Sequence, residues 1–149
     1  MAYLIDTSVL ARLANTADPF FVIAANAIVK LHRRGESLQI TAQNLIEFRN
    51  MATRLTALNG LGLAVAAAEA KVAAFEAAFA FVAETPDIFP AWKSLVGALG
   101  VIGKRVHDAR LVAICQVHRL SHLLTFNTAH FIPLASHAAS VTIVDPASV

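Results

Sequence analysis

Ala2-Tyr3-Leu4-Ile5-Asp6-Thr7-Ser8-Val9-Leu10 is a short apolar run that delivers a carboxylate and two hydroxyls where a strand hands over to a helix. In an open α/β sheet ligands bind beyond the carboxyl ends of the strands, so an Asp closing such a strand stands at the rim of a crevice. The plain alternative for Asp6 is capping of the helix that follows. Two further acids fit the same crevice. Glu47 lies in Asn44-Leu45-Ile46-Glu47-Phe48-Arg49 and Asp108 in Arg105-Val106-His107-Asp108-Ala109-Arg110-Leu111, each inside an otherwise apolar helical pattern. Alone, Glu47 reads as a solvated helix face and Asp108 as a first-turn acid stabilised by the helix dipole. Together, three acids on separate elements suggest a metal site.

The 149 residues, 57% of them hydrophobic, suit a single domain over 1–149 with one buried core. Twelve basic against ten acidic residues give a net charge of only +2, which permits nucleic-acid binding without demonstrating it. Cys115, the one cysteine, cannot form an intramolecular disulfide, and its apolar setting reads as a buried helix position in a reducing compartment. No positive region precedes the first apolar stretch, which argues against a secretory signal and for a cytoplasmic protein. Residues 61–83 are apolar enough to suggest a membrane span, but Glu69, Lys71 and Glu76 interrupt them. A core helix with no membrane role is expected, its alanines and phenylalanines suited to close packing or a subunit seam.

Strands are expected at 2–5, about 38–41, 123–126 and 141–144. Helices are expected at about 8–13, from an Asp18 N-cap and Pro19 to Gly35, at 43–57, at 61–83, at about 91–99, and around Asp108 after the Gly100 and Gly103 loop. In the 43–57 helix, Leu45, Phe48, Ala52 and Leu55 recur at helical spacing and should face the core, with Glu47 off that stripe. Strands separated by helices imply an α/β fold with a mainly parallel sheet between helical layers.

With these stretches and Leu123-Leu124-Thr125-Phe126-Asn127 in this order, the chain resembles a PIN domain, and more closely the VapC-type toxin of a VapBC toxin–antitoxin pair. The resemblance spans nearly the whole chain. It implies a three-layer α/β/α domain, an Mg²⁺- or Mn²⁺-dependent endoribonuclease, frequent homodimerisation and a small cognate antitoxin. It also implies that Asp6, Glu47 and Asp108 are the metal ligands, and that RNA products carry a 3′-hydroxyl and a 5′-phosphate. Hard divalent cations favour such oxygen donors, relieve the repulsion between them and activate water for in-line attack. Thr7 and Thr125 offer hydroxyls at strand ends for water or phosphate. Many members carry a fourth acid where this chain has Asn127 and His130. Asn127 is therefore expected to complete the site through its carbonyl or a hydrogen bond to a metal-bound water, with one well-held metal and a second that is weak or substrate-dependent.

Arg49, Lys104, Arg105 and Arg110 are basic residues near the expected crevice. Arg110 is the foremost phosphate candidate, with an ion pair to a neighbouring carboxylate as its alternative. His107 is unassigned. His118 and His122, four apart, invite zinc, but Leu120-Ser121 should break the helix between them and no cysteine pair accompanies them. Two other functions remain open: a weakly active or inactive PIN domain that binds RNA or a partner, and structure-specific DNA cleavage by the same chemistry.

Overall fold

Tyr3, Leu4 and Ile5 are β-favouring residues with no polar side to show water, and they form the centre of the sheet. In the computed structural model, which describes residues 1–138 and 140–149, β1 (Ala2–Ile5) lies between β2 (Ser37–Ile40) and β4 (His122–Leu124). Tyr3 stands opposite Leu38 on one side and His122 on the other. β3 (Ala80–Phe81) flanks β2 and β5 (Thr142–Val144) flanks β4, giving the order β3-β2-β1-β4-β5 with every pairing parallel. The chain leaves β1 towards β2 and later returns to its other side with β4. That reversal places a crevice at the carboxyl ends of β1 and β4.

Leu4 and Leu123 face one core, and Tyr3, Ile5 and Leu124 face the other. Burial on both faces is why these strands read as continuous apolar runs rather than alternating ones. The Tyr3 face is covered by α1 (Thr7–Leu13), α2 (Phe21–Arg33), α3 (Ala42–Thr53) and α4 (Val65–Ala78). The Leu4 face is covered by α5 (Ile88–Leu99), α6 (Arg105–His118) and α7 (Thr128–His137). The expected α/β/α layering is thus observed. Phe48 meets Phe75 edge-on at 5.0 Å and locks α3 to α4; burying one such ring stabilises by about 1.5–3 kcal/mol. Cys115 is fully buried, and burial pushes its thiol pKa up, so it packs as a small apolar side chain. No helix among the described residues is long and apolar enough to cross a membrane.

Several boundaries differ from expectation, among them the strand expected at 123–126, which is His122–Leu124, and the alanine-rich helix, which starts at Val65. The alanine-rich helix stops at Ala78, and Ala80–Phe81 pairs with Gln39 and Ile40 as β3, with Val82 N donating to Ile40 O at 2.8 Å. The third helix ends at Thr53, because the returning chain satisfies its last carbonyls: Leu61 N bonds Met51 O, Leu63 N bonds Ala52 O and Gly62 N bonds Arg54 O. Only a glycine fits at 60, since a Cβ there would lie 1.9 Å from Arg54 O. Leu55 is consequently 66% exposed instead of facing the core. Asp18 orders the turn before α2, its Oδ1 accepting from Phe20 N at 2.8 Å, and does not cap the helix itself. The 91–99 helix begins earlier, at Ile88, which puts Pro90 in the first turn where its missing N–H is harmless.

Candidate active site

Asp6 leaves β1 in an extended conformation and caps α1, with Ser8 N donating to Oδ2 at 3.4 Å. The capping role is therefore real, and it is only part of what Asp6 does. Oδ2 also accepts from Ser8 Oγ at 2.6 Å and from Thr125 Oγ1, just past β4, at 2.8 Å. Among the described residues every hydrogen bond to this carboxylate falls on Oδ2, which leaves Oδ1 uncommitted. Asp6 N donates to Leu124 O, tying the strand ends together. Burial pushes the Asp6 pKa up; hydrogen bonds from Ser8 and Thr125 pull against that, and the Glu47 charge adds to it.

Glu47 reaches the same region from α3. Thr41 and Asn44 cap that helix reciprocally, with Thr41 N donating to Asn44 Oδ1 and Asn44 N to Thr41 Oγ1. The Asn44 amide is thereby aimed back at Thr7, donating to its Oγ1 at 3.3 Å. Thr7 in turn donates to Glu47 Oε2 at 2.8 Å, and Gln43 Nε2, one turn earlier, to Oε1 at 2.8 Å. Thr7 thus orients an acid on another element.

Asp108 comes from the first turn of α6. Its Oδ2 lies 3.2 Å from Arg105 Nε and 3.6 Å from His130 Nδ1. Burial raises its pKa most, the Asp6 charge raises it further, Arg105 and His130 lower it, and Glu47 raises it again. The three acids therefore feel one another electrostatically. Their side chains are not drawn around a single point: among the described residues no group of three His, Cys, Asp or Glu is gathered closely enough to hold a metal ion. The donors nonetheless fit a hard divalent cation in kind, all being carboxylate oxygens, with Oδ1 of Asp6 uncommitted. Zinc finds no support at the histidine pair: His118 ends α6, while His122 opens β4 and stacks on Tyr3 at 4.5 Å.

Glu47 and Asp108 line an open cavity of about 850 Å³. Lys104, Arg105, His107 and Arg110 line it too, so that basic side chains share the cavity with the acids. Arg110 is ion-paired, its Nη2 lying 2.6 Å from Glu84 Oε2 and its Nη1 donating to Gln43 Oε1 at 3.1 Å. Arg49 does not line this cavity; it pairs with Glu69 at an exposed position. Thr125 is fully buried and serves Asp6 instead of facing the cavity. Asn127 is not brought to this cavity. Its backbone N–H donates to Thr125 Oγ1 at 2.9 Å, and it lines a separate small cavity with Arg12 and Phe126.

Sequence reading assigns no supporting role to four residues, although it names His130 in place of a fourth acid. Ser8 joins Asp6 to Phe126 N, and Gln43 joins Glu47, the His107 carbonyl and Arg110. Glu84 holds Arg110, and His130 stands beside Asp108. Only two carried a local signal: Ser8 two residues after Asp6, and Gln43 one helical turn before Glu47.

A parallel sheet covered on both faces, with carboxylates towards its switch point, defines an α/β/α protein with an acidic crevice. The chain belongs to the PIN domain family, whose model matches residues 3–133. Similar solved structures include VapBC2 from Rickettsia felis bound to a DNA fragment from its promoter, at 13% identity, 97% of this chain and 98% of that one, with a TM-score of 0.70. VapC20 from Mycobacterium tuberculosis, named as a sarcin-ricin loop cleaving toxin, is 21% identical over 93% of this chain and 96% of that one, with a TM-score of 0.61. A toxin–antitoxin complex from Klebsiella pneumoniae is 22% identical over 97% of both, with a TM-score of 0.63. At these identities the likeness is one of fold. No curated protein matches the chain.

Proposed function

We propose that the protein is a metal-dependent endoribonuclease acting as the toxin of a type II toxin–antitoxin pair. The observation that carries this reading is the approach of Asp6, Glu47 and Asp108, from three elements, towards the switch point of a PIN fold, near enough for burial and the neighbouring acid charges to raise the pKa of Asp6 and Asp108. These residues would hold Mg²⁺ or Mn²⁺, which supplies water activation and charge stabilisation at a phosphodiester. The chain's own groups prepare the site. Ser8 and Thr125 hold Oδ2 of Asp6 and leave Oδ1 uncommitted, and Thr7 and Gln43 fix Glu47. Lys104 and Arg110 in the cavity bind phosphate, Arg110 by exchanging Glu84 for the substrate. Asn127 acts through its backbone, by steadying Thr125.

The solved toxin–antitoxin complexes of like fold support a cognate antitoxin as partner. Leu55, Leu58 and Val65, exposed near one another in the chain, support a protein-binding surface for it or for a second copy. A second reading, a binding module with little turnover, is favoured by the hold of Arg105 and His130 on Asp108 and by the lack of an acid at 127 and 130. Purified protein incubated with structured RNA and matched DNA in Mg²⁺, Mn²⁺ or EDTA decides. Metal-dependent RNA products with 5′-phosphates support the nuclease; RNA binding without cleavage in either metal supports the module; preferred DNA cleavage overturns the RNA assignment.

A further inference from the structure

Beside the acidic crevice, at the ends of β4 and β5, lies a second cavity of about 230 Å³ lined by Arg12, Phe20, Phe126, Asn127 and Asp145. Its chemistry is unlike that of an ordinary surface dimple. The Arg12 guanidinium sits over both phenylalanine rings, 5.6 Å from the Phe20 centroid and 5.0 Å from that of Phe126, which fixes its plane. Its hydrogen bonding is far from satisfied: Nη1 makes one long bond, 3.4 Å, to Ser8 O, and Nε is buried with no partner. Asp145 lines the same cavity, with Oδ1 accepting from Ala147 N at 2.8 Å. Among the described residues Arg12 and Asp145 do not pair with each other or with any other charged group. A cation and a carboxylate that share a cavity without meeting leave room between them for a third body.

That body must present hydrogen-bond acceptors to the guanidinium and donors to the carboxylate. Guanine does so on adjoining edges: O6 and N7 accept, suiting the bidentate reach of an arginine, while N1–H and the 2-amino group donate. Adenine places a donor beside N7, uracil separates its two acceptors by N3–H, and cytosine, with adjacent acceptors at O2 and N3, has a single amino group as donor where guanine offers N1–H and the 2-amino group side by side. We propose that this cavity is a guanine-binding subsite that selects the substrate of the neighbouring active site. The inference rests on the nuclease reading for its purpose but not for its chemistry. Position supports the link, since Ser8 bonds Arg12 through its carbonyl and both Asp6 and Phe126 N through its hydroxyl, joining the two sites.

The test needs no metal and no turnover. ¹H–¹⁵N NMR titrations in EDTA with GMP, IMP, AMP and UMP report both affinity and location. GMP is expected to shift the amides of Phe126, Asn127 and Ala147 and to bind about tenfold more tightly than AMP or UMP, within the range of one good bidentate base contact. IMP, lacking the 2-amino group, should fall between. Arg12→Lys, which keeps the charge but loses the fork, and Asp145→Asn, which retains an acceptor for Ala147 N, should each remove the preference in a folded protein. Equal affinity for all four nucleotides, or shifts confined to residues 104–110, overturns the subsite. Guanine binding in a protein that cleaves no RNA would overturn the nuclease reading alone, and RNA cleavage without guanine binding would overturn this inference alone.

Discussion

Replacing Asp6 by Asn and by Ala separates the two roles this residue combines. Both substitutions remove a buried charge set near Glu47 and Asp108, so that relief is common to them. They differ in what is left for the hydrogen bonds. In Asp6→Asn the amide oxygen takes the place of Oδ2 and still accepts from Ser8 and Thr125, while the amide nitrogen takes the uncommitted place of Oδ1. Alanine keeps none of this. Loss of an N-cap costs about 1 kcal/mol, and the buried Thr125 hydroxyl left without its acceptor adds about 1–3 kcal/mol. The difference of about 2–4 kcal/mol corresponds to about 4–16 °C in Tm at about 2–4 °C per kcal/mol for a chain of this size. Thermal melts in EDTA and in excess Mn²⁺ read both roles. A ligand at a hundred times its Kd stabilises by about 2.7 kcal/mol, so the wild type should gain several degrees from the ion and both variants far less. In EDTA, Asp6→Asn should melt at or above the wild type and Asp6→Ala well below it. An Asn variant as unstable as the Ala variant refutes the placement of the hydrogen bonds, and one that keeps the full Mn²⁺ response refutes ligation by Asp6.

Burial raises Asp6 and Asp108 above their ordinary pKa of 3.8, so their ionised forms weaken the metal-free fold. The associated stability is complete below that value and is lost as pH rises through the raised folded pKa, and the Tm of wild type relative to Asp6→Asn in EDTA should fall from about pH 4 upward; a flat difference contradicts this. Glu84→Gln frees Arg110 from its 2.6 Å partner. Because an exposed pair is worth at most about 1 kcal/mol, the KM for RNA should drop by about two- to fivefold at low salt, and an unchanged or higher KM argues against phosphate binding there. Arg110→Ala should raise KM and flatten the salt dependence by about one unit of slope. Phe48→Ala, at a fully buried ring edge-on to Phe75, should cost about 3–5 kcal/mol and lower the urea midpoint with little change in slope.

The central layers were legible because their cause is local. Tyr3-Leu4-Ile5 is apolar on both faces, and Gly100 and Gly103, both at positive φ, bound the chain between α5 and α6. What escaped was decided across the sheet. Ala80 and Phe81 continue the composition of α4 without a break, both are exposed, and only their pairing with β2 makes them a strand. Leu55 kept the helical spacing of α3, yet residues 61–63 return to close the last turn and leave it in solvent. The site divides in the same way. Three acids could be picked out one by one, whereas partners that orient them, Thr7 for Glu47 or Thr125 for Asp6, come from elements distant in the chain. Asn127 lies two residues after Thr125 of the Asp6 network, yet its observed link to the acids is its backbone N–H to that Thr125 hydroxyl, and the residue lines the Arg12 cavity.

The most direct measurement is single-turnover cleavage of one structured RNA in Mg²⁺ by the wild type and by Asp6→Asn, Glu47→Gln and Asp108→Asn, each confirmed folded by its melting curve. The account predicts cleavage by the wild type that EDTA abolishes, and a loss of at least about two orders of magnitude, about 2.7 kcal/mol of barrier, in each variant. Cleavage that survives all three substitutions would contradict it, as would a folded wild type that leaves the RNA intact in both Mg²⁺ and Mn²⁺.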